Sequence, residues 1–547
     1  MKKMKTLLSL LLVISLLLTA CSKPVSKNNQ TGNEGTPEAT KTEESKTEGT
    51  EEMTTINIRV INPVTNFDKV LDVFYDKVKD DPVLSKIKVN LTYVEGADYA
   101  DKLNLAITAQ EDYDLLFVGA WHGLSDKIND GIFKDLSSYF NNDAYPGLKA
   151  AFNEDYLTAN SFNGKTYAIP LAESYEDIKG IIYREDLREK YSLPEIVDYT
   201  TYEQYLEEIA KHINDEGLIA AWGVSPTQGM TEFENPGYDN RRSNIYMYNY
   251  GAKFYVALNS DSTKVLDAAT VGDDASHFAA FPELYNKDYI SDWYTDLTKW
   301  TKYINSDAVS SNDDIGAAFD AGLYGATYGT ATEWVSRTKN IENTNPDAKL
   351  GFFIMDEKQR NFEPGAIVSN MQAWNFLCAP TWSKKTDAVM AFLDWMWSSK
   401  ENHDLIQYGI EGEDWEAIGD NAYKTISTDS YVMPGYSFTW NPAYIRYDSA
   451  VVNNEYANKV YDYMYNNDTY NLSPLAGFNF DQKSVETQVA AISAYTNDAK
   501  FEWGAYGENT AAKIKEYHDA CEKAGLELIR AELIKQLQDF LDKKISN

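Results

Sequence analysis

The sequence predicts an α/β protein folded in two lobes. Strand-like and helical runs alternate from residue 54 onward, and a second alternation opens after Tyr167-Ala168-Ile169-Pro170. Such alternation lays strands side by side in a sheet with helices on its faces. About 495 residues follow residue 53, more than the ~250–300 at which a single core divides.

The elements are read in chain order. Ile56-Asn57-Ile58-Arg59-Val60-Ile61 is a strand, and Phe67 to Val78 has helical spacing. Lys88 to Val94 is a second strand, and Tyr99, Leu103, Ala106 and Ile107 recur as one helix face. Asp114 to Gly119 is short, apolar on both faces and ended by glycine, as a buried parallel strand is. In the second lobe Ile178 to Tyr183 is strand-like. Thr201-Tyr202-Glu203-Gln204 fits a capping box ahead of a helix that buries Tyr202, Tyr205, Leu206 and Ile209. Val389, Phe392, Leu393 and Met396 share a helix face, which makes Trp395 and Trp397 packing residues. Leu526, Ile529, Leu533, Leu537 and Phe540 line a closing C-terminal helix.

The first residues carry export signals. Lys2, Lys3 and Lys5 precede an apolar run from Leu7 to Leu18. That run is shorter than the ~20 residues that span a bilayer and has the length of a signal-peptide core. It ends in Leu18-Thr19-Ala20-Cys21, which resembles the lipobox whose cysteine is acylated and becomes the mature N-terminus. Residues 22 to 53 are rich in Ser, Thr, Asn, Gly, Pro, Glu and Lys and read as a tether without a core of its own.

Composition excludes several functions. The net charge is −34, and loss of the three leader lysines makes it more negative, so a nucleic-acid backbone is repelled. Cys378 and Cys521, the cysteines other than Cys21, read as two buried thiols, with a disulfide as the alternative. No GxSxG, HExxH, GxxxxGK[ST] or strand-following GxGxxG occurs, and the five histidines show no metal-ligand spacing. No metal or cofactor is expected, while the abundant carboxylates leave a glycosidase pair open. The chain is instead rich in aromatics, with 39 Tyr, 22 Phe and 12 Trp. Several stand beside turn residues: Trp121 after the strand ending at Gly119, Tyr328 and Trp334 in Tyr328-Gly329-Thr330-Ala331-Thr332-Glu333-Trp334, and Trp440 before Asn441-Pro442. Ligands of open α/β sheets sit at the carboxyl ends of strands. Aromatic rings there suit the C–H faces of sugars.

Several segments together resemble the extracellular solute-binding proteins of the sugar-transporter class, the group of maltose-binding protein. Asp101 to Val118 resembles their helix-then-strand segment. Phe162 to Pro170 resembles the stretch where such chains first cross between lobes, and Ile182 to Leu187 the segment that follows. Ala317 to Thr327 resembles a run leading to a ligand-site tryptophan, and Ser383 to Ser399 a later helix. Gln407 to Gly412 and Ser473 to Asp481 are similar to large Gram-positive lipoproteins that end in an uncharacterised C-terminal domain. The resemblance covers nearly all of residues 54 to 547.

It implies a periplasmic-binding-protein-like fold of class II type with a ligand cleft between the lobes, a closing hinge and a helical C-terminal extension. The expected division is 1–20 signal peptide, 21–53 tether, 54–171 with 350–405 first lobe, 172–349 second lobe, and 406–547 a C-terminal region packed on both. Glu173 matches a family acid that bonds sugar hydroxyls, and Trp121 and Trp334 fall near stacking positions. Asn62 and Asn66 fall at polar ligand contacts, although the family's charged pair is missing there. Tyr175, Tyr328, Trp374, Trp440 and Arg446 complete the expected site. The function implied is capture of an extracellular oligosaccharide for an ABC importer, without catalysis. A surface glycoside hydrolase, or a binding protein for a peptide or other solute, is the alternative. The expected partners are a carbohydrate, the permease subunits and, through the lipid on Cys21 alone, the outer face of the cell membrane. The protein is expected to be a monomer.

Overall fold

Two sheets, each joined to the other by a short crossing, organise the computed structural model, which describes residues 53–162, 164–225, 230, 233–234, 236–308, 314–427, 431–449 and 454–546. Cys21 and the leader and tether calls lie outside these residues, apart from Met53. Among the described residues no helix is long and apolar enough to cross a membrane.

The first sheet has the order β2-β1-β3-β13-β4. Strand β1 (Thr54–Ile61) runs parallel to β2 (Ile87–Val94) and to β3 (Leu115–Gly119). Strand β13 (Asn375–Cys378) returns antiparallel between β3 and β4 (Ile169–Leu171). All five residues of β3 are buried, as its uninterrupted apolar run requires. The Phe67–Val78 helix buries Phe67, Val70, Leu71, Phe74 and Val78, the stripe its spacing predicts.

The second sheet has the order β11-β5-β10-β6. Strand β5 (Lys179–Arg184) is antiparallel to β10 (Tyr324–Thr330) and to β11 (Leu350–Ile354), while β6 (Ala220–Gly223) is parallel to β10. This corrects the expected boundary at 350. Leu350 to Ile354 completes the second lobe's sheet, and the chain rejoins the first lobe only at β13. The helix Tyr199–Lys211 buries the expected Tyr202, Tyr205, Leu206 and Ile209, but it is capped by Asp198 rather than Thr201. Asp198 Oδ1 accepts from the Thr201 amide at 2.7 Å, and Thr201 Oγ1 accepts from the Asp198 amide at 3.1 Å. Aspartate caps as well as threonine does, and starting earlier adds a turn.

A meander of β7 (Ile245–Tyr250), β8 (Ala252–Leu258) and β9 (Val265–Ala269) extends the second lobe. Its core is shared with the C-terminal helices: Leu526, Ile529, Leu533 and Leu537 are fully buried there with Val256 and Ala268. Strand β12 (Ile367–Ser369) pairs with β17 (Tyr470–Leu472), which binds the second crossing to the C-terminal region. A small sheet of β14 (Trp415–Ile418), β15 (Ala422–Thr425) and β16 (Tyr447–Asp448) lies in the same region. Cys378 and Cys521 are free and buried.

Candidate functional site

Strand pairing sets two sheet edges at the ends of one crossing. Asn375 of β13 pairs with Gly119 at the end of β3 and with Leu171 at the end of β4, so all three lie on one edge. From Leu171 the crossing runs through residues 172–178 to Lys179. There Lys179 pairs with Thr330, the last residue of β10. The carboxyl ends of β1, β3 and β4 and of β6 and β10 therefore lie where ligands of open sheets sit.

The first-lobe edge is aromatic. Trp121 stands in the 3-10 turn Ala120–His122 directly after β3 and is 58% exposed. Its indole lies over Gly119; a Cβ there would fall 2.6 Å from the ring, so any larger residue would push the indole out of this position. Trp374, 68% exposed, stands on the adjoining segment, whose backbone is tied to this turn because the Ala120 amide donates to the Trp374 carbonyl at 2.8 Å. Asn62 follows β1 with φ 69°. Its Oδ1 accepts from the Gly96 amide at 2.9 Å and its Nδ2 donates to the Tyr436 hydroxyl at 2.5 Å. Tyr436 packs edge-on to Phe117 and to Trp440, each at 6.0 Å. Burial, then Lys127, lowers the pKa of His122, which accepts from the Gly119 amide through Nδ1 at 3.0 Å.

Asn62, Trp121, Trp374 and Trp440 are thus brought together, with Tyr436 as a member that sequence reasoning missed. Asn66 lies nearby as the exposed residue before the Phe67–Val78 helix, at φ 57°. The other candidates are used elsewhere. Trp334 is 3% exposed, stacks on Phe352 at 5.3 Å and donates to the Leu350 carbonyl, so its ring is occupied by packing. Arg446 is held by Asp404 at 2.7 Å and by the Asp420 carbonyl at 2.9 Å, over the Trp415 ring. Tyr175 is wedged edge-on between Tyr156 and Tyr470, its hydroxyl accepting from Asn153 at 2.8 Å. Tyr328 lies within β10 opposite Ile181, half-buried against the second core.

Glu173 departs most from expectation. Its carboxyl is enclosed at the crossing, near Tyr408, Tyr423, Tyr461 and Tyr465 of the C-terminal region. Burial, then the neighbouring Asp177, pushes its pKa up to about 7, and Tyr465 offsets part of this. Asp177 Oδ1 and the Tyr465 hydroxyl are buried without a well-formed hydrogen bond. A glutamate whose folded pKa lies above its unfolded value of about 4.3 stabilises most below that value. That contribution, on the order of 3 kcal/mol, is lost as pH rises toward 7. Glu173→Gln is expected to flatten the fall in Tm between pH 5 and pH 7. Calorimetric scans of variant and wild type check this; equal slopes would mean that the carboxyl is solvated.

A two-lobed α/β body with an aromatic, uncharged edge beside its crossing is a ligand-capture architecture. Residues 79–410 match the family described as bacterial extracellular solute-binding protein, and the chain belongs to it. Residues 474–542 match a domain of unknown function. A carbohydrate ABC transporter substrate-binding protein of Streptococcus pneumoniae serotype 4 is 23% identical over 474 residues, 84% of this chain and 85% of that one. Among solved structures, the N-glycan transport solute binding protein NgtS of Streptococcus pneumoniae superposes with a TM-score of 0.63 at 19% identity, covering 90% of this chain and 99% of that one. An HMO-binding, ABC-transporter-associated solute binding protein of Bifidobacterium longum infantis gives 0.57 at 14%, with 90% and 99% covered. NgtS in complex with Man5GlcNAc gives 0.54 at 19%, with 90% and 99% covered.

Proposed function

We propose that this chain is the substrate-binding subunit of an ABC importer, anchored to the outer face of the cell membrane by lipid on Cys21, and that it captures an oligosaccharide without altering it. The observation that carries the reading is that two exposed tryptophans, Trp121 and Trp374, stand on adjoining segments where β3 ends, joined through the Ala120 amide and the Trp374 carbonyl. Buried aromatics explain themselves by packing; two large exposed rings at a sheet's carboxyl edge suit a ligand with apolar faces. Capture proceeds by closure of the two edges about residues 172–178. Ligand favours the closed state because only there does it touch both.

A thermal-shift screen against neutral oligosaccharides, with Man5GlcNAc among them, tests this. A ligand at a hundred times its Kd stabilises the native state by about 2.7 kcal/mol. The sugar that raises Tm most is expected back intact by mass spectrometry after incubation. Turnover of that sugar, or a flat screen with a peptide that does raise Tm, would overturn the reading. For the anchor, Cys21→Ser is expected to shift the protein from the membrane fraction to the medium or to leave it unprocessed. Retention of the variant at the wild-type level would refute the lipid anchor.

A further inference from the structure

The turn that carries Trp121 is closed by a histidine where a capping box ordinarily has an acid or an amide. Gly119 precedes the 3-10 turn Ala120–His122, and His122, three residues on, reaches back so that its Nδ1 accepts from the Gly119 amide at 3.0 Å. Glutamate or glutamine usually makes this reciprocal bond. Both keep an acceptor oxygen in every charge state. An imidazole does not: with a proton on each nitrogen it is a donor only. The Gly119 N–H then faces a second N–H, and the ring has to turn away.

The Trp121 indole leans on that same ring. Their centroids are 5.2 Å apart, and the indole lies over Gly119, whose amide the imidazole holds. Tyr99 of the helix Gly96–Ala109 stacks on the imidazole at 5.4 Å, and Phe117 of β3 meets it edge-on at 6.0 Å. Tyr99 stays neutral, because burial pushes its hydroxyl well up, and it donates to the Phe117 carbonyl at 2.8 Å. Charge comes from the helix Leu124–Asn129, where Lys127 donates to the His122 carbonyl at 2.6 Å and Asp126 stands with it beside Gly123. Burial and then Lys127 favour the neutral imidazole, so the bond to Gly119 is intact at neutral pH and is lost below about 6.5, the ordinary histidine value. The bond from the Ala120 amide to the Trp374 carbonyl does not involve the imidazole, so the edge itself survives.

We infer that His122 is a positioning residue of the aromatic edge and a proton-sensitive latch on it: with Nδ1 unprotonated it holds the Trp121 indole over Gly119 to meet ligand, and uptake of a proton there releases the indole and weakens capture. The inference rests on the reading of Trp121 as a sugar contact and adds the regulation of that contact by pH.

Two variants separate the latch from packing. His122→Asn puts Oδ1 where Nδ1 stood and keeps an acceptor that does not titrate. His122→Phe keeps a ring and removes the acceptor. The full chain carrying 5-fluorotryptophan is followed by ¹⁹F NMR from pH 7.5 to pH 5 without ligand, with Trp121→Phe assigning the resonance. In wild type the Trp121 line is expected to move toward the position of free 5-fluorotryptophan and to narrow as pH falls. It should hold its place in His122→Asn and stand at the released position throughout in His122→Phe. A line that titrates alike in wild type and His122→Asn, or that in His122→Phe matches wild type at pH 7.5, overturns the latch. Calorimetric titration with Man5GlcNAc, or with whichever neutral sugar of the screen raises Tm more, then reads capture. Affinity is expected to be about threefold lower at pH 5 than at pH 7.5 in wild type, to change less in His122→Asn, and to be low at both in His122→Phe. Glu173 titrates in the same interval, but it is common to all three proteins, so the difference between wild type and His122→Asn belongs to His122. Equal pH dependence of affinity in those two overturns the role in capture and leaves the carbohydrate reading standing. If no sugar raises Tm, the carbohydrate reading falls and the role in capture with it, while the ligand-free lines still decide the latch.

Discussion

Asp273→Ala is expected to destabilise the protein by about 3–5 kcal/mol, the cost of leaving a buried charge without its partner. The Asp273 side chain is 2% exposed and that of Arg530 3%. Arg530 reaches both carboxylate oxygens, Nη1 to Oδ2 at 2.7 Å and Nη2 to Oδ1 at 2.8 Å. His518 Nε2 lies 2.7 Å from Oδ1, and the Thr270 amide donates to Oδ2 at 2.6 Å. The cluster ties the two last helices, Thr510–Ala524 and Leu526–Ser546, to the end of the second lobe's meander. Burial pushes the Asp273 carboxyl up, but the bonds from His518 and Arg530 outweigh it and hold the pKa below the usual range. Burial likewise lowers His518, and Asp273 more than reverses this. The depressed aspartate stabilises above its unfolded pKa of about 3.9, and that is lost as pH falls through the folded value. The raised histidine stabilises fully below about 6.5, and that is lost as pH rises through its folded value. The cluster is therefore strongest between these limits. Thermal unfolding of variant and wild type at pH 5.5 measures the full effect, and a second pair at pH 8 should show a smaller gap. A loss under 1 kcal/mol at pH 5.5 would mean that the C-terminal helices dock by apolar contact alone.

That cluster was invisible in the sequence, since Asp273 and Arg530 are 257 residues apart. What could be read was local. The Phe67–Val78 helix shows its buried stripe in its spacing, and β3 shows its burial in an unbroken apolar run ended by Gly119. The same locality explains the errors. Leu350 to Ile354 is a short apolar strand that suits either sheet, and only its pairing with β5 decides between them. For Trp334 the local pattern itself points to packing. Thr330 and Glu333 form a capping box, which makes Trp334 a residue of the Ala331–Thr344 helix, and Ile341, seven residues on, is buried with it. Trp121 was legible because it follows a glycine-ended strand. Tyr436 was not, because its bond to Asn62 joins residues 374 apart. Glu173 was placed correctly at the crossing, but the tyrosines that enclose it come from the C-terminal region, which no local pattern connects to it.

The double variant Trp121→Ala with Trp374→Ala is expected to lose at least about thirtyfold in affinity for the best sugar of the screen. Fully burying a large apolar side chain is worth about 1.5–3 kcal/mol. With 58% of Trp121 and 68% of Trp374 left to cover, the two rings would contribute roughly 2–4 kcal/mol between them, and each 1.4 kcal/mol is tenfold in Kd. Neither ring supports the fold in the way a core residue does, so Tm should change little, as for ordinary surface substitutions. The two losses are not expected to add strictly. The Ala120 amide bonds the Trp374 backbone and not its indole, so each single variant keeps the edge in place, but neighbouring rings on one ligand couple. Trp395→Ala is the contrasting case. That ring packs edge-on to Phe74 at 4.6 Å, away from the edge, and its loss should lower Tm while leaving Kd unchanged. Calorimetric titration of the three variants separates the roles, and scattering before and after ligand adds the closure, which should reduce the radius of gyration of wild type. If the double variant binds as wild type does, the aromatic edge is not the contact surface. If it fails to bind yet wild type shows no contraction, the edge holds the sugar without the lobes closing on it.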